Sequence, residues 1–248
     1  MQNTQIIILA GGKGTRMKSE EPKALIKLKG KPLIQYILDT VSSLNLPIPP
    51  IIVVHHKKEL IKEILGNYLY AEQEQPLGTG HAVASAKKAV HKDHQTILVL
   101  SCDQPLISKE TIERLLKQHA EKKPTITLAT VLLPDFEGWH SALRHFGRIV
   151  RQADGTVGGI VEFKDATEEE KLIKELNPAV YAFDSDWLWE NIKLLKNENV
   201  QGEYYLTDLI KIARSQNKKI EAVPVAKTIE GLQPNNKEEL ALLEKILG

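Results

Sequence analysis

Ile6-Ile7-Ile8-Leu9-Ala10-Gly11-Gly12-Lys13-Gly14-Thr15-Arg16-Met17 begins as an unbroken aliphatic run and ends among glycines and cations. The run has no polar alternation, the pattern of a strand covered on both faces in a parallel sheet. Ile51-Ile52-Val53-Val54 and Thr96-Ile97-Leu98-Val99-Leu100 repeat it. Between these runs lie helical spacings: Leu33, Tyr36, Ile37, Thr40, Val41 and Leu44; Leu60, Ile61, Ile64 and Leu65; and Ala82 to Val90. Strand and helix in alternation predict an α/β fold, a Rossmann-like open and mostly parallel sheet with helices on both faces. After Pro134 the rhythm weakens. Gly147 to Arg151, Val157 to Phe163 and Ala179 to Phe183 read as hairpins beside the main sheet. Helical spacing returns at Tyr204 to Ala213 and Glu238 to Leu247, with a possible strand at Ile220 to Val225. No tandem repeat or linker divides residues 1–248, so one domain is expected.

Bulk composition narrows the partners. The 248 residues are 42 % hydrophobic and 26 % charged, an ordinary folded composition. Lys plus Arg number 33 against 32 Asp plus Glu, a net charge of +1, so no long-range field gathers nucleic acid or anionic membrane. No stretch approaches the roughly 18 apolar residues that would span a bilayer, and no basic segment precedes the first apolar run. The single cysteine, Cys102, excludes an internal disulfide and a multi-cysteine zinc site. A cytoplasmic location is expected, with any anionic ligand held by a local site.

In open sheets of this kind ligands lie outside the carboxyl ends of the strands. Leu9, Ala10, Gly11, Gly12, Lys13 and Gly14 follow the first strand, and the glycines allow backbone amides to approach a phosphate. Lys13 and Arg16 add charge, and Lys23 stands beyond a rigid proline turn. Glycines alone would equally serve a strand-to-helix connection. The dinucleotide pattern fails at Met17, and no Gly-Lys-Ser/Thr occurs, so both common nucleotide loops are excluded.

Leu9 to Met17 followed by Pro22-Lys23-Ala24-Leu25 resembles the signature of sugar-nucleotide pyrophosphorylases. Gln73-Glu74-Gln75-Pro76-Leu77-Gly78-Thr79-Gly80-His81 resembles the segment by which uridylyltransferases of that superfamily read uracil. A glutamine has both the donor and the acceptor that an imide edge requires. Read alone, Thr79 is a helix cap and Gln73 a surface residue. Phe146 to Arg151, Gly159 to Ala166, Asn177 to Tyr181 and Gln201 to Asp208 then follow in order. Together they resemble the bacterial N-acetylglucosamine-1-phosphate uridylyltransferases over nearly the whole chain.

The resemblance implies a nucleotide-diphospho-sugar transferase fold, in which residues 1–133 mainly bind nucleotide and 134–248 mainly bind sugar and complete the metal site. It implies Arg16 and Lys23 on the phosphates, with Leu9 to Gly14, Gln73, Gly78 and Thr79 around the nucleotide. Thr79, Gly147, Glu162, Asn177 and Thr207 fall to the sugar. Asp103 and Asn235 fall to Mg²⁺, with Asn236 the alternative to Asn235. Two departures stand out. Cys102 and Gln104 flank the aspartate where the family more often has Gly and Val or Met, and the asparagine segment is longer, with Gln233-Pro234 before the asparagines. Without the resemblance, Asp103 could cap a turn, Glu162 could be a charged hairpin residue, and Asn235-Asn236 could cap the last helix. His81 reads as structural.

The substrates implied are UTP and N-acetylglucosamine 1-phosphate, giving UDP-N-acetylglucosamine for the cell envelope. Another sugar 1-phosphate, another nucleotide, or a catalytically silent sensor are the alternatives. No hexapeptide-repeat acetyltransferase domain follows Leu247, so neither acetylation of glucosamine 1-phosphate nor the trimer of that domain is expected.

Overall fold

A computed structural model describes residues 3–14, 17 and 19–248. Strand β1 (Thr4–Leu9) lies inside the main sheet. Its Ile6 and Ile8 enter one hydrophobic core and Ile7 the other, and all three are wholly buried. That two-sided burial is why the run shows no polar alternation. Two short strands, β2 (Lys27–Leu28) and β3 (Lys31–Pro32), form a separate antiparallel ribbon ahead of helix α1 (Leu33–Ser43). The helix buries Leu33, Ile34, Ile37, Leu38 and Val41, a stripe of helical period.

The chain continues through β4 (Ile51–Val54), α2 (Lys58–Leu65), β5 (Leu69–Glu72), α3 (Thr79–Ser85) and β6 (Thr96–Ser101). β5, β4, β1 and β6 lie side by side and parallel, with Ile7 facing both Ile51 and Val99 in register. Helix α4 (Lys109–Lys122) follows, started by Ser108, whose hydroxyl accepts the Thr111 N–H at 3.1 Å. Then come β7 (Ile126–Leu132), β8 (Gly147–Arg151), β9 (Val157–Val161), β10 (Glu175–Asn177), β11 (Tyr181–Asp184), α5 (Ser185–Asn191), α6 (Asp208–Ser215), β12 (Ile220–Pro224) and α7 (Lys237–Ile246).

The second half is more deeply woven into the sheet than its hairpin-like sequence suggests. β8 and β9 do pair as an antiparallel hairpin. β11, by contrast, runs antiparallel between β6 and β7, with Tyr181 opposite Val99 on one side and Leu128 on the other. Tyr181 and Phe183 face one core and Ala182 the other, so the segment reads as a fully covered strand. β7 also carries β12 in parallel register and, beyond it, β10. α1 and α4 cover one face while α3, α5 and α6 cover the opposite one. Among the described residues no helix is long and apolar enough to cross a membrane.

Candidate active site

The carboxyl ends of β1, β4, β5 and β6 share one edge. The turns leaving them carry Gly11 to Gly14, His55, Gln73 and Asp103 respectively. A cavity of about 490 Å³ lies there, lined by the glycine loop, Lys23, Gln73, Gly78, Thr79 and Asp103. The loop amides from Gly11 to Gly14 donate to no partner among the described residues. Gly14 has φ +65°, and a Cβ there would stand 3.2 Å from the Lys23 Cβ. The loop and the lysine are therefore packed against one another, and glycine is what permits it. Arg16 lies outside the described residues.

Gln73 is nearly buried, and its orientation is fixed by its neighbours. Its amide nitrogen donates to the Gly78 carbonyl at 3.1 Å and lies 3.1 Å from His81 Nδ1. A carbonyl can only accept, so the NH₂ end must point that way and the amide oxygen is the end left for a ligand. Of the donor and the acceptor that a glutamine carries, the acceptor is the end that the Gly78 contact leaves unused. Gly78 has φ +106°, and a Cβ would approach the Tyr204 carbonyl oxygen to 2.7 Å. Thr79 does not cap a helix with its side chain. Its hydroxyl accepts the Leu206 N–H at 3.0 Å, tying the segment after β5 to the one before α6.

A second cavity, of about 330 Å³, is lined by Gly147, Glu162, Asn177, Tyr181 and Thr207. Gly147 and Asn177 are register partners on β8 and β10. Glu162 follows β9, and its carboxylate accepts the Thr207 hydroxyl at 3.1 Å. Burial raises its pKa above the ordinary glutamate value, and the Thr207 hydrogen bond only partly offsets that. Asn177 Oδ1 accepts the Ala179 N–H at 3.0 Å, turning the amide NH₂ toward the cavity. Tyr181, which the sequence reading did not single out, has a buried hydroxyl that meets no hydrogen-bond partner among the described residues. Its signal in the sequence was only its place in the Asn177 to Tyr181 motif.

Leu9, Thr79, Ser101, Asp103 and Asn235 line both cavities, so the two open onto one wall. The Lys23 ammonium bridges that wall. It pairs with Asp103 Oδ2 and donates to Asn235 Oδ1 at 2.8 Å. Asp103 Oδ1 is buried and has no hydrogen-bond partner among the described residues. Asn236 is turned away and caps α7, accepting the Glu239 N–H at 2.8 Å. A carboxylate and an amide oxygen are hard donors suited to a small divalent cation that takes its other ligands from phosphate and water. Among the described residues no group of three or more His, Cys, Asp and Glu could hold a metal by itself. The Cys102 thiol is pushed upward in pKa by burial and is inert as a nucleophile.

Phosphate-seeking amides and a lysine at the carboxyl edge of a doubly covered sheet, facing a second cavity across a shared wall, define a nucleotidyltransferase. Residues 6–157 match the model of the MobA-like NTP transferase domain, and the chain belongs to that family. The chain is 42 % identical over 239 residues to the bifunctional protein GlmU of Exiguobacterium sibiricum, covering 96 % of this chain and 51 % of that protein. Against the bifunctional protein GlmU of Halalkalibacterium halodurans it is 40 % identical, covering 100 % of this chain and 53 % of that one. It thus spans about half the length of the curated relatives it matches. A UDP-glucose pyrophosphorylase complexed with UDP-glucose shares the fold with a TM-score of 0.77 at 16 % identity, over 98 % of both chains. So does 4-diphosphocytidyl-2C-methyl-D-erythritolsynthase from Anaerococcus prevotii, with a TM-score of 0.66 at 17 % identity over 98 % of this chain and 97 % of that one.

Proposed function

We propose that this chain transfers the uridylyl group of UTP to N-acetyl-α-D-glucosamine 1-phosphate, releasing pyrophosphate and UDP-N-acetylglucosamine with Mg²⁺ as the cofactor. The observation that carries the reading is the wall shared by the two cavities. A nucleotide in the first and a sugar phosphate in the second present α-phosphorus and attacking oxygen to one another across Asp103 and Asn235. The specific sugar and base rest on the ordered motifs and on relatives about 40 % identical.

Base choice follows from the orientation of Gln73. Its acceptor oxygen suits the N3–H of uracil and opposes the bare N3 of cytosine. The Gly78 N–H, without a partner among the described residues, suits a uracil carbonyl. On the sugar side, the Glu162 carboxylate accepts hydroxyl protons and the Asn177 amide NH₂ donates to an acetamido or hydroxyl oxygen.

The chemistry needs positioning and charge neutralisation rather than a base. A phosphate monoester is largely dianionic at neutral pH, its second ionisation lying near about 6. Its oxygen attacks the α-phosphorus in line as pyrophosphate leaves, and negative charge crowds the transition state. Loop amides from Gly11 to Gly14 hold the triphosphate. Lys23 leaves the Asp103–Asn235 pair for the phosphate oxygens. Asp103 and Asn235 would hold the divalent ion, which would supply Lewis-acid neutralisation of the charge that develops there. Arg16, placed by resemblance, adds to it.

Pyrophosphate release is measured with Mg²⁺, the four nucleoside triphosphates, and the 1-phosphates of glucose, glucosamine and N-acetylglucosamine. Release confined to UTP with the N-acetylated sugar is expected. Turnover with another pair overturns the specificity and keeps the chemistry, whereas no turnover with any pair overturns the proposal.

A further inference from the structure

The two departures from the family pattern, Gln104 after the aspartate and Gln233 in the lengthened asparagine segment, are far apart in the chain and converge on one atom. Gln104 is wholly buried, and its amide nitrogen donates to the Pro178 carbonyl while its amide oxygen accepts the Ser101 N–H at 2.8 Å. Gln233 Nε2 donates to the same Pro178 carbonyl at 2.8 Å. A carbonyl has two lone pairs, so the two glutamines together saturate it.

We propose that Gln104 and Gln233 are positioning residues forming a single clamp on the Pro178 carbonyl, which couples the Asp103–Asn235 pair to the sugar-facing turn at Asn177. Each arm touches a different part of the site. Gln104 closes the turn that presents Asp103, its backbone N–H reaching Ser101 O at 3.3 Å. Gln233 uses its own carbonyl to hold Asn235, whose Nδ2 donates to it at 2.9 Å, so that Asn235 Oδ1 faces the wall. Pro178 sits between Asn177 and Ala179, a non-glycine residue at φ +61° whose N–H fixes Asn177 Oδ1. That backbone conformation is disfavoured for alanine and persists only where surrounding contacts impose it. The clamp supplies such contacts. An apolar residue at position 104 could fill the space but could not hold the carbonyl, and so could not pass a shift in the Asp103 turn to Asn177. Binding of the cation and binding of the sugar phosphate become interdependent through one shared acceptor.

This proposal rests on the nucleotidyltransferase reading above, and its test has an arm that does not need turnover. Gln104→Met keeps the volume and loses both hydrogen bonds, and Gln233→Met loses one from a half-buried site, so it serves where the first fails to fold. In the full chain without ligands, amide hydrogen exchange of Ala179 is expected to quicken about tenfold in either variant, with the amides of Ile51 to Val54 unchanged. In turnover assays the KM for the sugar phosphate and the half-saturating Mg²⁺ are expected to rise together about threefold to tenfold, with the KM for UTP within about twofold. Unchanged exchange at Ala179, or exchange quickened throughout the sheet, overturns the clamp whether or not the wild type turns over. A fall in kcat with all three binding parameters unchanged overturns it as well. A wild type that turns over no substrate pair overturns the proposed reaction alone, and the exchange arm still decides the clamp.

Discussion

The two sides of the site are built on different principles. On the proposed nucleotide side the glycine loop presents backbone amides that have no hydrogen-bond partner among the described residues, together with Lys23. On the proposed sugar side three polar groups are already held by others: Glu162 by Thr207, Asn177 by the Ala179 amide, and Pro178 by two glutamines. A flexible, highly charged triphosphate can organise a loop of amides around itself, because its charge supplies the energy. A sugar has only hydroxyls and an amide to offer, each worth little net free energy, so its site must be organised beforehand. Substitutions on the first side should therefore act on turnover, and on the second side on affinity.

Lys23 tests the first half with the largest effect. Lys23→Ala is expected to lower kcat about 10² or more, since a cation aimed at the developing charge is lost. In the same variant the divalent ion should bind the nucleotide-free protein more tightly, because the ammonium no longer bridges Asp103 and Asn235. Steady-state kinetics and a metal titration read the two effects. Near-normal turnover would remove Lys23 from the mechanism, and unchanged metal affinity would remove it from competition for the wall.

Glu162 tests the second half. Glu162→Gln keeps an acceptor for Thr207 and loses the charge, so the KM for the sugar phosphate should rise about tenfold with kcat nearly kept. Stability should move the opposite way. The folded state raises the pKa of Glu162, so its cost is absent where both states are protonated and appears as pH rises through the folded value. The glutamine variant should thus melt above the wild type at neutral pH, by about 2–4 °C for each kcal/mol relieved in a chain of this size. The gap should close as the pH is lowered into the glutamate range. Over the same acid limb the wild-type KM for the sugar should rise, beginning above the pH at which an ordinary glutamate protonates. A melting gap that persists at low pH would assign the effect to packing instead of charge.

The contrast also explains what could be read from sequence. β1, β4 and β6 were legible because a strand covered on both faces writes itself as a continuous aliphatic run. The glycine loop was legible because its place after β1 is a consequence of topology. β11 was read as hairpin-like because its partners, Val99 and Leu128, are distant in sequence and its antiparallel insertion leaves no local mark. α4 was legible in principle, with Ser108 as cap and Ile112, Leu115 and Leu116 at helical spacing. Individual site residues such as Asp103 and Asn177 were found through ordered motifs and not through physics, since a single Asp or Asn after a strand is also an ordinary turn residue. The bridging position of Lys23, the half-used amide of Gln73 and the shared acceptor at Pro178 are purely tertiary.

The smallest effect separates two neighbours that sequence alone left interchangeable. Asn235 lines both cavities, whereas Asn236 starts α7 with its side-chain oxygen on the Glu239 N–H. Asn236→Ala removes a helix cap and should cost about 1 kcal/mol of stability. In a chain of this length that is a fall of about 2–4 °C in Tm. Turnover and the half-saturating Mg²⁺ should stay within about twofold of wild type, because the cap only starts a helix that contributes no residue to the wall shared by the two cavities. Asn235 is nonetheless held by a side chain of the same helix, its backbone N–H donating to Glu239 Oε2 at 2.8 Å. If fraying of α7 loosened that contact, the metal requirement would rise along with the loss of stability. A shifted Mg²⁺ dependence in Asn236→Ala would thus show that the first turn of α7, whose Glu239 lines the second cavity, belongs to the cation site as well.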